Sequence, residues 1–286
     1  MKVLGTIKET RSALGGVRAK GQSIGLVPTM GALHAGHRSL AVATRRRCDF
    51  VVVSIFVNPT QFGPGEDFDR YPRTLDADLD ACRDDGVNLV FHPDVAQVYP
   101  GRRLTTVHVS RITECLCGRH RPGHFDGVTT VVAKLFEIVR PDLAFFGEKD
   151  YQQLVVIRRM AADLNMPVEI VGCPTVREPD GLAMSSRNQY LTDAQRRQAT
   201  VLYRSMCGCA KRIRSGELEA AALMAGIEEE IRASGPVEID YVAILDPDTL
   251  ESVQRVDGPA RICLAVRIGK CRLIDNLAVD GSGRDG

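Results

Sequence analysis

The segment Asp49–Phe56 reads DFVVVSIF and is closed by Asn58-Pro59. A valine-rich run of that length, bounded by turn residues, reads as a strand buried on both faces. Such a strand needs a sheet covered on both sides, and the flanking sequence supplies the covers. Ser23–Val27 (SIGLV) reads as a first strand, followed by a Gly-containing loop and a helix from about His37 to Arg47. Thr74–Asp85 is helical, with Leu75, Leu79 and Cys82 at spacings of four and three. Val87–Phe91 is a further strand. The helix Asp126–Val139 gathers Val128, Val131, Val132, Leu135 and Phe136 on one face. Leu143–Phe146 reads as a strand, Tyr151–Leu164 as a helix and Val168–Val171 as a strand. Strand and helix in alternation predict a parallel sheet in a Rossmann-like α/β domain.

The 286 residues suggest two domains, and the character of the chain changes near residue 176. Arg177–Asn188 is polar and turn-rich. Helical stretches follow at Thr192–Ser215 and Leu218–Ala233, the first opened by the capping-box pair Thr192 and Gln195. Glu238–Leu245 and Arg261–Val266 read as strands, with a short Arg272–Ile274 segment after them. The expectation is a Rossmann-like domain over 1–176 and a smaller α+β domain, a lid, over 177–286. The closing GSGRDG reads as frayed.

Composition narrows the function classes. Lys plus Arg is 37 against 36 for Asp plus Glu, a net charge of +1. That leaves no basic excess for a nucleic-acid surface. No run approaches the roughly 18–20 apolar residues that span a bilayer, so no membrane partner is expected. The start, MKVLGTIKET, meets Lys8 and Glu9 before a signal core could form, and the expected location is cytoplasmic. The nine cysteines, odd in number and scattered, read as thiols of a reducing compartment.

The chemistry gathers first at Pro28-Thr29-Met30-Gly31-Ala32-Leu33-His34-Ala35-Gly36-His37, between a strand and a helix. A helix start offers free N–H groups and positive potential to phosphate, and open α/β sheets bind ligands at the carboxyl ends of their strands. Two imidazoles three residues apart can both donate to phosphate oxygens. Each histidine alone reads as an ordinary loop or helix-start residue, and a metal pair stays open on spacing. The second cluster is Ala183-Met184-Ser185-Ser186-Arg187-Asn188, which offers two hydroxyls and a guanidinium. Alone it is a polar loop. Cys115, Cys117, His120 and His124 could be drawn as a metal set, but the C-x-C spacing is tight for zinc.

H-x-G-H with a later serine-rich loop resembles the signature pair of nucleotidyltransferases and class I aminoacyl-tRNA synthetases. Three further segments narrow the resemblance: Val57-Asn58-Pro59-Thr60-Gln61-Phe62, Arg121-Pro122-Gly123-His124-Phe125-Asp126-Gly127-Val128, and Phe146-Gly147-Glu148-Lys149-Asp150-Tyr151-Gln152-Gln153. In this order they resemble the pantoate–β-alanine ligase family, from about Gly25 to Leu191. The resemblance implies ATP, pantoate and β-alanine as substrates, Mg²⁺ with the nucleotide, and a homodimer. It implies that His37, His34 and Lys149 are catalytic. Met30 to His37, Gly147 to Asp150, Val176 and Met184 to Arg187 would bind ATP, with Asp150 on the ribose. Gln61 and Gln153 would bind pantoate, and Gln61 also β-alanine. Met30 and Phe56 would wall the gem-dimethyl group, and Arg121 and His124 would complete a cap. Gln61 read alone is a solvated loop residue; only the resemblance gives it a role. The competing classes are a nucleotidyltransferase acting on a phosphorylated acceptor and a non-catalytic nucleotide binder.

Overall fold

The computed structural model describes residues 1–282; of the GSGRDG segment, residues 283–286 lie outside the described part. The chain divides into two compact units. The first holds residues 1–114, 121–148 and 153–174; the second holds 115–120, 149–152 and the described residues from Thr175 onward.

The first unit is built on a six-stranded sheet of β1 (Lys2–Leu4), β2 (Ile24–Thr29), β3 (Phe50–Ile55), β4 (Leu89–Phe91), β5 (Leu143–Gly147) and β6 (Glu169–Cys173). Their order is β1-β4-β3-β2-β5-β6, and every pairing is parallel. The helices of this part of the chain are α1 (Ile7–Arg18), α2 (Ala35–Arg47), α3 (Leu75–Asp84), α4 (Val95–Val98), α5 (Leu116–His120), α6 (His124–Val139) and α7 (Tyr151–Asp163). Of these, α5 belongs to the second unit, as do the first residues of α7. β3 is paired on both edges, and Val51, Val52, Val53 and Ile55 are buried, as its unbroken apolar run requires. The chain leaves β2 for β3 on one side, while β5 lies on the other. The end of β2 is therefore a point where the strand order reverses, and ligands of open α/β sheets bind at such points.

The second unit carries a three-stranded antiparallel sheet, β7 (Glu238–Leu245), β8 (Pro259–Ile268) and β9 (Cys271–Asp280), with helices α8 (Asp193–Ala199), α9 (Val201–Arg214) and α10 (Ala220–Ala233). Ile262, Leu264, Val266 and Leu273 on one sheet face pack with Leu202, Met206, Leu223 and Ile227 of α9 and α10. Strand alternation sends Tyr241, Arg261, Cys263 and Asn276 to the opposite face.

The strand Ser23–Val27, read as the first, is the second, because β1 and α1 precede it. α2 begins at Ala35 rather than near His37, since His34 is its N-cap, and α6 begins at His124, two residues early. The single helix expected over Thr192–Ser215 is two helices, broken at Thr200. The Thr200 hydroxyl donates to the Arg197 carbonyl at 2.8 Å, an alternative to the helical ladder that Thr offers readily. The short Arg272–Ile274 segment is the start of a ten-residue strand. Asp275 and Asn276 interrupt its apolar pattern, yet both are buried and bonded.

Candidate active site

In the first unit the site is built from the carboxyl end of β2. The Thr29 hydroxyl donates to the Ser54 carbonyl at 2.7 Å and accepts the Gly31 N–H at 3.2 Å. Gly31 (φ 82) and Ala32 (φ 50) then both turn left-handed, which only glycine adopts freely. The turn points the N–H groups of Ala32 and Leu33 at Asp78 of α3, whose carboxylate accepts them at 2.9 and 2.7 Å. Thr74 Oγ1 adds a third donor at 3.3 Å, and Asp78 is 2% exposed. The carboxylate thus holds the loop in a shape that Ala32 does not prefer. Asp78→Ala should lower stability by about 2 kcal/mol, because two half-buried amides lose their acceptor. Asp78→Asn keeps one acceptor oxygen and should lose less. Denaturant unfolding of the two variants measures the difference.

His34 caps α2. Its Nδ1 accepts the Gly36 N–H at 3.1 Å, and His37 Nδ1 accepts the His34 N–H at 3.5 Å. An imidazole nitrogen that accepts carries no proton, so in both rings Nε2 is the N–H donor. The rings lie 4.1 Å apart, tilted by 31°. The first turn of α2 holds no acidic residue. A helix start with positive dipole potential and two Nε2–H groups has the chemistry that anionic oxygen calls for.

Gln61 follows β3 in a short 3-10 turn, Pro59–Gln61, capped by Asn58. Asn58 is 1% exposed and its side-chain amide is bonded at both ends. Its Nδ2 donates to Gln61 Oε1 at 3.0 Å and to the Gly127 carbonyl at 3.1 Å. Its Oδ1 accepts from Thr60 Oγ1 and from Tyr99 OH, each at 2.9 Å. Gly127 is required: a Cβ there would stand 2.2 Å from the Thr60 carbonyl oxygen. Gln61 Nε2 lies 3.1 Å from Met30 Sδ, which joins the Gln61 turn to the H-x-G-H loop.

Arg121 and His124, expected in a cap, converge on the Gln61 backbone. His124 Nδ1 donates to the Gln61 carbonyl at 2.8 Å, so its Nε2 accepts from Arg121 Nη1 at 3.0 Å. Arg121 in turn grips Glu66 with two bonds, at 2.7 and 2.6 Å. Burial pushes the Glu66 carboxyl up, but the Arg121 hydrogen bonds and charge prevail and leave it below the usual carboxylate value. A carboxyl depressed in the folded state stabilises fully above its unfolded pKa, and that stability is lost as pH falls through the folded value. Glu66→Gln should therefore reduce the stability difference between pH 7 and pH 3, as measured by urea unfolding at both.

Lys149 follows β5 in the 3-10 turn Glu148–Asp150, with Nζ 3.8 Å from Asp150 Oδ2 and its side chain 20% exposed. Lys149 and Asp150 belong to the second unit. Of the adjacent glutamines, Gln152 is structural: it accepts from Cys117 N at 3.0 Å and donates to the Cys115 carbonyl at 2.9 Å. Cys117 Sγ lies 3.2 Å from Tyr241 OH. Gln153 is half-buried. Also in the second unit, Met184 N bonds the Val176 carbonyl at 3.0 Å and Arg177 bridges Ala183. Beyond this hairpin Ser185 caps the 3-10 turn Ser186–Tyr190, its Oγ accepting the Arg187 N–H at 3.3 Å.

The first unit thus brings Met30 to His37 together with Gln61, and the second unit holds Lys149, Asp150, Val176 and Met184 to Arg187. Sequence reading missed Asp78, Asn58 and Glu66. Asp78 carried one signal, an acid on the apolar face that Leu75, Leu79 and Cys82 define.

A parallel sheet with an H-x-G-H turn where its strand order reverses defines the HxGH nucleotidyltransferase class. Residues 2–278 match the family model described as pantoate-beta-alanine ligase. A pantothenate synthetase of Moorella thermoacetica is 54% identical over 98% of this chain and 99% of its own. The crystal structure of pantothenate synthetase from Thermus thermophilus superposes with a TM-score of 0.92, at 48% identity over 97% of this chain and 99% of that one. Pantoate-beta-alanine ligase from Francisella tularensis, complexed with beta-gamma ATP and beta-alanine, gives a TM-score of 0.82 at 36% identity, covering 97% of each chain. The chain belongs to the pantoate–β-alanine ligase family.

Proposed function

We propose that this chain condenses (R)-pantoate with β-alanine at the expense of ATP, through a pantoyl adenylate, giving pantothenate, AMP and pyrophosphate. The observation that carries the reading is the pair of Nε2–H donors at the start of α2, joined through Met30 to an amide, Gln61, whose oxygen is bonded by Asn58. A carboxylate cannot be amidated directly, because its leaving group would be oxide. In the first step a pantoate carboxylate oxygen attacks the α-phosphorus and pyrophosphate leaves. In the second the neutral β-alanine amine attacks the acyl carbon, loses a proton, and AMP leaves. The work asked of the protein is positioning and charge neutralisation.

In this reading His34 and His37 donate Nε2–H to phosphate oxygens, and His37 serves the departing pyrophosphate. Lys149 meets the α-phosphate charge, Ser185, Ser186 and Arg187 hold the β- and γ-phosphates, and Asp150 takes the ribose. Among the described residues no group of three His, Cys, Asp or Glu side chains is placed to hold a metal. Mg²⁺ would enter with the nucleotide and would offset phosphate charge, as magnesium does with few protein ligands. A homodimer and a cytoplasmic location complete the reading; no described helix is long and apolar enough to cross a membrane.

Gln61 and Gln153 hold pantoate with neutral amides. An arginine would bind the carboxylate more tightly but would stabilise the ground-state nucleophile and blunt its attack. Gln153→Ala is expected to raise the KM for pantoate and to leave ATP binding without pantoate unchanged, which calorimetry distinguishes. The function itself is tested by AMP formation that requires both pantoate and β-alanine. Pyrophosphate release with a phosphorylated acceptor instead would make the chain a nucleotidyltransferase of another kind.

A further inference from the structure

The centre of β9 takes no part in the roles above, yet it holds a buried polar pair. Asp275 and Asn276 are 3% and 4% exposed. Neighbours on a strand point to opposite sheet faces, so their side chains serve different partners.

Asp275, on the helix-covered face, accepts from Arg177 Nη1 at 2.6 Å and from Nη2 at 2.9 Å. The same guanidinium lies 3.8 Å from the Tyr203 ring centre and donates to the Gly181 carbonyl at 3.0 Å. Arg177 is the residue that bridges Ala183 and so starts the hairpin leading to Ser185–Arg187. Asn276, on the other face, donates from Nδ2 to the Lys149 carbonyl at 2.9 Å. Its Oδ1 accepts from Arg261 Nη1 at 3.0 Å, and that guanidinium lies 3.7 Å from the ring centre of Tyr151. The two partners fix which way the amide points, oxygen to the cation and nitrogen to the carbonyl.

Replacing a buried ionic pair by well-packed apolar residues is often neutral or stabilising, so stability alone gives little reason for an Asp-Asn pair in mid-strand. Its two partners supply a reason: one carries the Lys149 turn, the other the base of the serine-rich loop. From this geometry we infer that Asp275 and Asn276 are positioning residues for adenylate formation, which set the Lys149 backbone and the Arg177 hairpin from one rigid strand. The inference rests on the function proposed above.

Asn276→Asp tests it, since it keeps the acceptor for Arg261 and the side-chain size but removes the donor to Lys149. The expected result is a folded protein whose pantoate-dependent ATP–pyrophosphate exchange is about 10–100-fold slower, the range for a catalytic group displaced by about an ångström. Aminolysis of supplied pantoyl adenylate by β-alanine should be unchanged. In a Lys149→Ala background the same substitution should add no further loss, because it acts through Lys149. Should Asn276→Asp not fold, Asn276→Ala is read by the same split. Asp275→Asn, which weakens the hold on Arg177, should raise the KM for ATP and spare aminolysis. Equal slowing of both half-reactions, or full additivity with Lys149→Ala, overturns the positioning role. A parent chain without pantoate-dependent exchange overturns the functional reading, and the inference with it. Exchange in the parent together with additive variants overturns the inference alone.

Discussion

His37→Ala is expected to leave the protein folded and to slow adenylate formation by about 10²–10³-fold, the usual loss when one preorganised donor to developing charge is removed. His37 Nδ1 accepts the His34 N–H, which leaves Nε2–H as the donor that the proposed role needs. The helix start it occupies carries no carboxylate that would compete with phosphate. The substitution removes one half of the capping box, which costs about 1 kcal/mol and not the fold. His37→Asn should recover the cap, because its side-chain oxygen can accept the same N–H, and should recover little of the rate. Pantoate-dependent ATP–pyrophosphate exchange measures the loss, with thermal unfolding as the control. A folded His37→Ala protein with near-parent exchange would remove His37 from the phosphate site.

What could be read from the sequence was what local pattern determines. β3 announced itself because a strand paired on both edges in a covered sheet has no polar face to show, and DFVVVSIF has almost none. H-x-G-H was legible for a similar reason: the cap, the glycine and both imidazoles lie within four residues. β9 looks short in the sequence because its middle is Asp275-Asn276, and a buried polar pair looks like a strand end when its partners, Arg177 and Lys149, are about a hundred residues away. β1, three residues long, carries too little pattern to call attention to itself. Asp78 escaped on the same ground. Its one mark is an acid on the apolar face of α3, and what it does shows only when the left-handed turn at Gly31 and Ala32, 46 residues upstream, sends it two amides. Local periodicity finds elements and their caps; the bonds that aim the H-x-G-H loop are long-range and leave only an out-of-place residue type behind.

Lys149→Ala is expected to have the larger effect, about 10³-fold on adenylate formation, and to fall unevenly on the two half-reactions. As carboxylate oxygen approaches the α-phosphorus, negative charge builds on the phosphoryl oxygens, and a lysine placed there stabilises the transition state more than bound ATP. In the second half-reaction the phosphate is already a leaving group on the acyl carbon and less new charge develops beside it. Supplied pantoyl adenylate should therefore be converted by β-alanine at close to the parent rate. Lys149→Arg keeps the charge but replaces a compact ammonium by a planar fork, and should restore only part of the activity. The backbone of residue 149 remains held by Asn276 in either variant, so lost rate reports the side chain and not a moved turn. Single-turnover measurement of each half-reaction decides the matter. If aminolysis of supplied adenylate falls as far as its formation, while the variant still binds the intermediate, Lys149 acts on the amine and not on the phosphate.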